Sequence, residues 1–162
     1  MADTAGETYP GWDSERLEAV ASGLAESGLV WVDDFLAPET LAELHNWAVH
    51  MRQEGLMRLA GVGAEQVAIF RPSVRRDWIL WLNPDAPSLF HTVRWAFFSR
   101  VQTLMQYLND TCFTALHDLE AHLSYYPAGA FYRRHIDQVQ ANDLRRFSLV
   151  LYLNPAWQTE DG

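Results

Sequence analysis

A single cysteine, Cys112, among 162 residues excludes an internal disulfide and fits a reducing cytosol. Beside the apolar Phe113, this lone thiol reads as core packing rather than as a nucleophile. Positive charge is also scarce: 12 Lys and Arg stand against 21 Asp and Glu, for a net charge of −9. Binding a nucleic-acid backbone needs a clustered cationic surface, so that partner class is not expected. No apolar run approaches the about 18 residues needed to cross a bilayer. The first residues, from Met1 to Glu7, are polar and acidic, unlike a signal peptide. These absences predict a cytoplasmic protein with neither nucleic acid nor membrane as partner. There is no internal repeat, no low-complexity stretch, and no histidine after His135.

What the chain does have is apolar and aromatic mass. Hydrophobic residues make up 49%, including seven Trp, eight Phe and six Tyr, enough to bury a real core. Residues 1–13 read as a disordered lead-in and 14–162 as one domain. Over 14–26, Leu17, Val20, Ala21 and Leu24 fall on one helical stripe, with Asp13 or Ser14 as cap and Gly28 as stop. Leu29-Val-Trp-Val32 reads as a short strand. Pro38 suits a first helical turn, and Leu41, Leu44, Trp47, Ala48 and Met51 stripe a second helix. Residues 53–63, with three glycines, read as a loop. Strands are predicted at 66–70 and 78–82. The turn at 83–87 then launches the longest helix, striped by Phe90, Val93, Phe97, Val101, Leu104 and Leu108. Beyond Thr111 the pattern takes the period of a strand, with candidates at 119–126, 131–139 and 147–153. Helices followed by an antiparallel meander define an α+β class.

The chemistry concentrates in His135-Ile-Asp137. In a strand, residues two apart share a face, so the imidazole and the carboxylate would converge on one point. Two histidines and one carboxylate on one face of an octahedron suit Fe(II) and leave positions open for a chelating keto acid and O2. Taken alone the tripeptide is a weak signal, because a His two residues from an Asp is usually a solvated pair. His45, His50 and His91 read as helix surface or packing residues, and His122 alone among the others is a candidate substitute ligand. Tyr126 and Tyr152 read equally as half-buried strand tyrosines.

The context is more specific. Tyr125-Tyr-Pro-Ala-Gly-Ala-Phe-Tyr-Arg-Arg-His-Ile-Asp137, followed by Arg146-Phe-Ser-Leu-Val-Leu-Tyr-Leu-Asn154, resembles the prolyl 4-hydroxylase-like branch of the Fe(II)/2-oxoglutarate-dependent dioxygenases. Gly28-Leu-Val-Trp-Val-Asp-Asp-Phe-Leu36, Ala60-Gly-Val-Gly63 and Arg75-Arg-Asp-Trp-Ile-Leu-Trp-Leu82 are similar to ordered segments of the bacterial and animal oxygen-sensor-like prolyl hydroxylases. The resemblance spans residues 28–162. It implies N-terminal helices packed on the first part of a double-stranded β-helix, or jelly-roll, core. It implies His135 and Asp137 as iron ligands, and Tyr126 and Tyr152 as residues that hold 2-oxoglutarate. It puts Tyr132, Arg75 and Asp77 on the substrate side; Arg76 stands where a glycine is common. Tyr132 has the opposite parity to His135 in a regular strand, so its role requires a kink there.

The implied activity is hydroxylation of a protein or peptide residue, proline first among targets, with release of succinate and CO2. Fe(II) is the implied metal, 2-oxoglutarate the co-substrate, and ascorbate a candidate reductant. The family takes its third ligand and a basic partner for 2-oxoglutarate from later strands. Against that pattern the sequence reads as C-terminally truncated, with the distal strands absent. Open strand edges would then favour pairing with a second chain. The alternative is a truncated or degraded non-catalytic relative that acts as a binding module.

Overall fold

The computed structural model describes residues 9–62, 69–83, 90–137, 145–156 and 158. The chain forms two compact units, Met1–Leu41 with Pro84–Leu119, and Ala42–Asn83 with Glu120–Gly162.

In the first unit, helix α1 (Ser14–Ser27) starts where the Asp13 side chain accepts a hydrogen bond from the Arg16 N–H. This satisfies one of the amide groups that a helix start leaves without an intrahelical partner. The helix stops at Gly28, whose φ of 71° is left-handed, a conformation that costs glycine little. Helix α3 (His91–Cys112) supplies the opposing surface. Leu17, Val20 and Ala21 pack with Leu104, Tyr107 and Leu108, and Val30, Val32 and Trp12 close over them. The tie between the helices is partly polar, since the Tyr107 hydroxyl donates to Glu18 Oε2 at 2.8 Å.

Two expectations change here. Tyr9 and Trp12, assigned to a disordered lead-in, are packed: Tyr9 meets Tyr107 edge-on at 5.1 Å, and Trp12 meets Phe35 at 5.6 Å. Cys112, expected in the core, is exposed. It is the last residue of α3, and the chain leaves the helix through an exposed Phe113 in the left-handed region.

Residues 29–32 also form no strand. Their alternation is real, with Val30 and Val32 against the helical core and Leu29 and Trp31 outward. That pattern is met by packing on helices rather than by pairing in a ladder.

Most of helix α2 (Pro38–Gln53) belongs to the second unit. There the sheet has the order β1-β2-β3, all antiparallel: β1 (Arg58–Leu59), β2 (Trp78–Leu82) and β3 (Ala121–Tyr125). Strand β2 lies where the sequence predicted it, and β3 falls inside the predicted 119–126. Strand β1 arises in the segment read as a loop. Of the predicted strand 66–70, only 69–70 lie within the described residues, and Ile69 pairs with Val62 in an isolated bridge. The register places Trp81 opposite His122 and Ile79 opposite Ser124, so these four side chains share one face of the sheet. Leu123 points the other way and is buried.

The described parts of 131–139 and 147–153 form no strand. Residues 131–133 are held instead by single contacts to the entry of β2: Arg76 N–H donates to Phe131 O, and Arg133 N–H to Val74 O, both at 2.9 Å. The architecture is α+β, with three helices and a small antiparallel sheet among the described residues. No described helix is long and apolar enough to cross a membrane.

Candidate metal centre

All the sequence-singled site residues belong to the second unit. His135 and Asp137 do meet: Nε2 of the imidazole lies 3.0 Å from Oδ1 of the carboxylate. The reason differs from the expected one, because a bent segment rather than a regular strand brings them together. His135 Nδ1 lies 2.8 Å from the Arg133 carbonyl oxygen. Each ring nitrogen thus faces an oxygen that can only accept, and Nε2 is the one directed to the same point as Asp137.

That spacing is informative. Donor atoms bound about 2.0–2.2 Å from one metal at right angles sit about 3 Å apart. The pair thus fits two adjacent positions of an octahedral metal, and imidazole with carboxylate is the donor set that suits Fe(II). Among the described residues, no group of three or more His, Cys, Asp or Glu is placed to hold a metal. His122, the candidate substitute ligand, is therefore not gathered with the pair.

Asp137 is oriented from two sides. The Ser148 hydroxyl donates to Oδ2 at 2.7 Å, and Arg145 Nη1 donates to the Asp137 backbone oxygen at 3.3 Å. The guanidinium of Arg145 is itself held by Glu120 at 2.9 Å. The Ser148 hydrogen bond, then the His135 and Arg145 neighbours, hold the Asp137 carboxyl below the ordinary carboxylate range. This leaves one oxygen engaged and Oδ1 directed toward the imidazole. Neither Ser148 nor Arg145 is assigned a role at the metal pair by the sequence. No local spacing signals contacts across 11 or 25 residues.

Arg75 and Asp77 form the most buried polar pair. Asp77 is 0% exposed and Arg75 9%. Arg75 Nε donates to Asp77 Oδ1 at 2.7 Å, Nη2 donates to Oδ2, and Nη1 reaches Gly61 O at 3.3 Å. Desolvation works against the guanidinium, yet the hydrogen bond and charge of Asp77 raise its pKa above the ordinary value.

Tyr132 is brought directly onto the pair, stacked on the His135 ring with centroids 3.5 Å apart and planes 20° apart. The parity objection does not apply, because the segment is not a strand.

Tyr126 is about half exposed. Desolvation, with the Asp77 charge next, raises its phenol pKa. Tyr152 is 51% exposed and is joined to the pair by no described contact. On β3, His122 lies against Trp81 with ring centroids 4.9 Å apart. Although part of it faces solvent, desolvation and then the charge of Arg75 depress its imidazole pKa.

Residues 121–162 match the family model of the 2OG-Fe(II) oxygenase superfamily. The chain is similar to the crystal structure of a Pseudomonas putida prolyl-4-hydroxylase, with 30% identity and a TM-score of 0.65. The match covers 75% of this chain, which spans 61% of the length of that one. No curated protein matches the chain.

Proposed function

We propose that this chain supplies the metal pair and part of the co-substrate pocket of an Fe(II)- and 2-oxoglutarate-dependent dioxygenase acting on a protein or peptide, with proline as target. The observation that carries the reading is the 3.0 Å approach of His135 Nε2 to Asp137 Oδ1, with Nδ1 tied to a backbone carbonyl. When bound, iron and 2-oxoglutarate would supply oxidation of an unactivated C–H bond by O2, with release of succinate and CO2. The protein's own part is placement. His135 offers one lone pair, Asp137 offers one oxygen, and Ser148 keeps the other oxygen occupied. Tyr126 and Tyr152 are the proposed hydroxyl contacts to 2-oxoglutarate, while Arg75, Asp77 and Tyr132 border the substrate side. The same reading takes β3 as part of the first strands of a double-stranded β-helix. The third ligand and a cation for the far carboxylate of 2-oxoglutarate are not assigned to any described residue.

The direct test is titration with Fe(II) under anaerobic conditions, comparing the chain with its His135→Ala variant, alongside succinate release with proline-containing peptides. Iron binding that the substitution abolishes, with succinate release dependent on iron and 2-oxoglutarate, is the expected result. Equal and negligible iron binding in both proteins would remove the metal reading.

A second reading has one observation in its favour. Phe147, Leu149, Val150 and Tyr152 are exposed and belong to no strand among the described residues, as in a module that pairs with another chain. Sedimentation analysis separates the two, since this reading requires self-association or a partner whether or not iron is present.

A further inference from the structure

The Tyr132 ring has two planar neighbours. The His135 imidazole stacks on it at 3.5 Å, and the Arg75 guanidinium carbon lies 4.1 Å from its centroid. Two planar groups so close to one centroid cannot share a face, so the phenol is held between them. The guanidinium is in turn fixed by both oxygens of the fully buried Asp77. Arg75 and Tyr132 also form a backbone bridge, flanked by the hydrogen bonds Arg76 N–H to Phe131 O and Arg133 N–H to Val74 O. Arg133 then supplies the carbonyl that faces His135 Nδ1 at 2.8 Å. The ring plane of His135 is therefore set by one connected assembly rooted in a buried carboxylate.

We infer that Asp77, Arg75 and Tyr132 are positioning residues for the metal-binding imidazole: Asp77 holds Arg75, Arg75 and His135 hold Tyr132 between them, and the stack fixes the His135 ring with Nε2 directed at Asp137. This rests on the reading of His135 and Asp137 as a metal pair, and it gives Arg75, Asp77 and Tyr132 a task apart from substrate contact. The physical ground is that an exposed imidazole, with its side chain 36% accessible, otherwise turns freely about its two torsions. A face-on ring contact removes that freedom, and an imidazole held in one orientation presents Nε2 ready for a metal.

Two measurements on the folded chain test this with Tyr132→Ala and Tyr132→Phe. Carbon-13 relaxation of the labelled His135 ring in the metal-free protein reads its mobility directly. Co(II) titration by visible absorption reads the affinity. The expected result is an immobile ring in the wild type and in Tyr132→Phe, and a mobile one in Tyr132→Ala. Co(II) affinity should fall about tenfold in Tyr132→Ala and stay near wild type in Tyr132→Phe. Circular dichroism verifies that each variant is folded.

Unchanged ring mobility and unchanged Co(II) affinity in folded Tyr132→Ala would overturn the inference. So would a loss of affinity in Tyr132→Phe equal to that in Tyr132→Ala, since the ring and not the hydroxyl is assigned the task. Failure of the metal reading itself looks different: Co(II) binding would then be insensitive to His135→Ala, while the ring mobility of His135 would still respond to Tyr132→Ala.

Discussion

Replacing Arg75 by methionine should be among the most damaging single changes in the second unit. Asp77 is wholly buried and its carboxylate receives two guanidinium hydrogen bonds. Each charge-assisted bond of this kind contributes about 1.5–3 kcal/mol, so the two together contribute about 3–6 kcal/mol. Breaking a buried ion pair from one side costs about 3–5 kcal/mol, because the remaining charge is stranded away from water. The two estimates overlap. For a chain of this length the lower figure corresponds to a melting temperature lowered by about 6 °C and the upper to about 20 °C.

The assay is urea unfolding followed by circular dichroism for Arg75→Met, Asp77→Leu and the double variant. Removing both charges relieves the stranded carboxylate, so the double variant should be more stable than the sum of the single costs implies, and more stable than Arg75→Met itself. Arg75→Lys should fall between wild type and Arg75→Met, because an ammonium is a point charge without the planar fork that reaches both oxygens. A cost below about 1 kcal/mol for Arg75→Met, the level of an exposed pair, or strict additivity in the double variant, would refute the reasoning.

Other outcomes are equally direct. Leu17, with 0% exposure in the core of the first unit, should cost about 2–5 kcal/mol when replaced by alanine, read by the same unfolding assay. Ser148→Ala removes the largest influence lowering the Asp137 pKa. That pKa should move up toward the ordinary carboxylate value in a carbon-13 NMR titration, and an unmoved value would show that the hydroxyl is not the orienting group.

His122 gives a pH signature. Its folded pKa lies below the unfolded 6.5, so the unfolded chain takes up this proton first as the pH falls. Its contribution to stability is complete above about pH 6.5 and is lost as the pH drops from there toward the depressed folded value. Melting temperatures between about pH 7.5 and 5.5 should fall less steeply in His122→Gln than in wild type. Parallel curves would show that the imidazole is not held neutral by the fold.

What the sequence revealed depended on how local the determinant was. The helix from Ser14 carries its own cap, stripe and stop, the helix from Pro38 its first-turn proline and stripe, and residues 78–82 have the apolar and aromatic content of a strand. These elements formed as read, to within a residue or so. Residues 29–32 have the strand alternation without the ladder, because alternation states which side chains turn inward and not what covers them. Residues 58–59 were hidden among glycines, since a two-residue strand is specified by its partner at β2 and not by its own composition.

At the site, His135 and Asp137 were found by spacing and by resemblance. Their two positions share a target, although the strand invoked to bring them together is absent. Ser148 and the Arg145–Glu120 pair escaped notice because their contacts join points far apart in sequence. The contact of Tyr132 with His135 was obscured by assuming regular strand parity, which a bent segment does not obey.

The second unit is discontinuous in sequence: it joins residues 42–83 to residues 120–162 across an intervening stretch that belongs to the other unit. The segment with the family signature, 121–162, therefore cannot be transplanted as a cassette. A graft of it would carry His135, Asp137 and Ser148 but leave behind Arg75 and Asp77, together with strand β2, against which β3 is paired. Anyone recombining this chain with a relative should place crossovers so that both segments come from one parent. Chimeras cut between them would bring together a ligand loop and an anchoring strand that were not selected to fit.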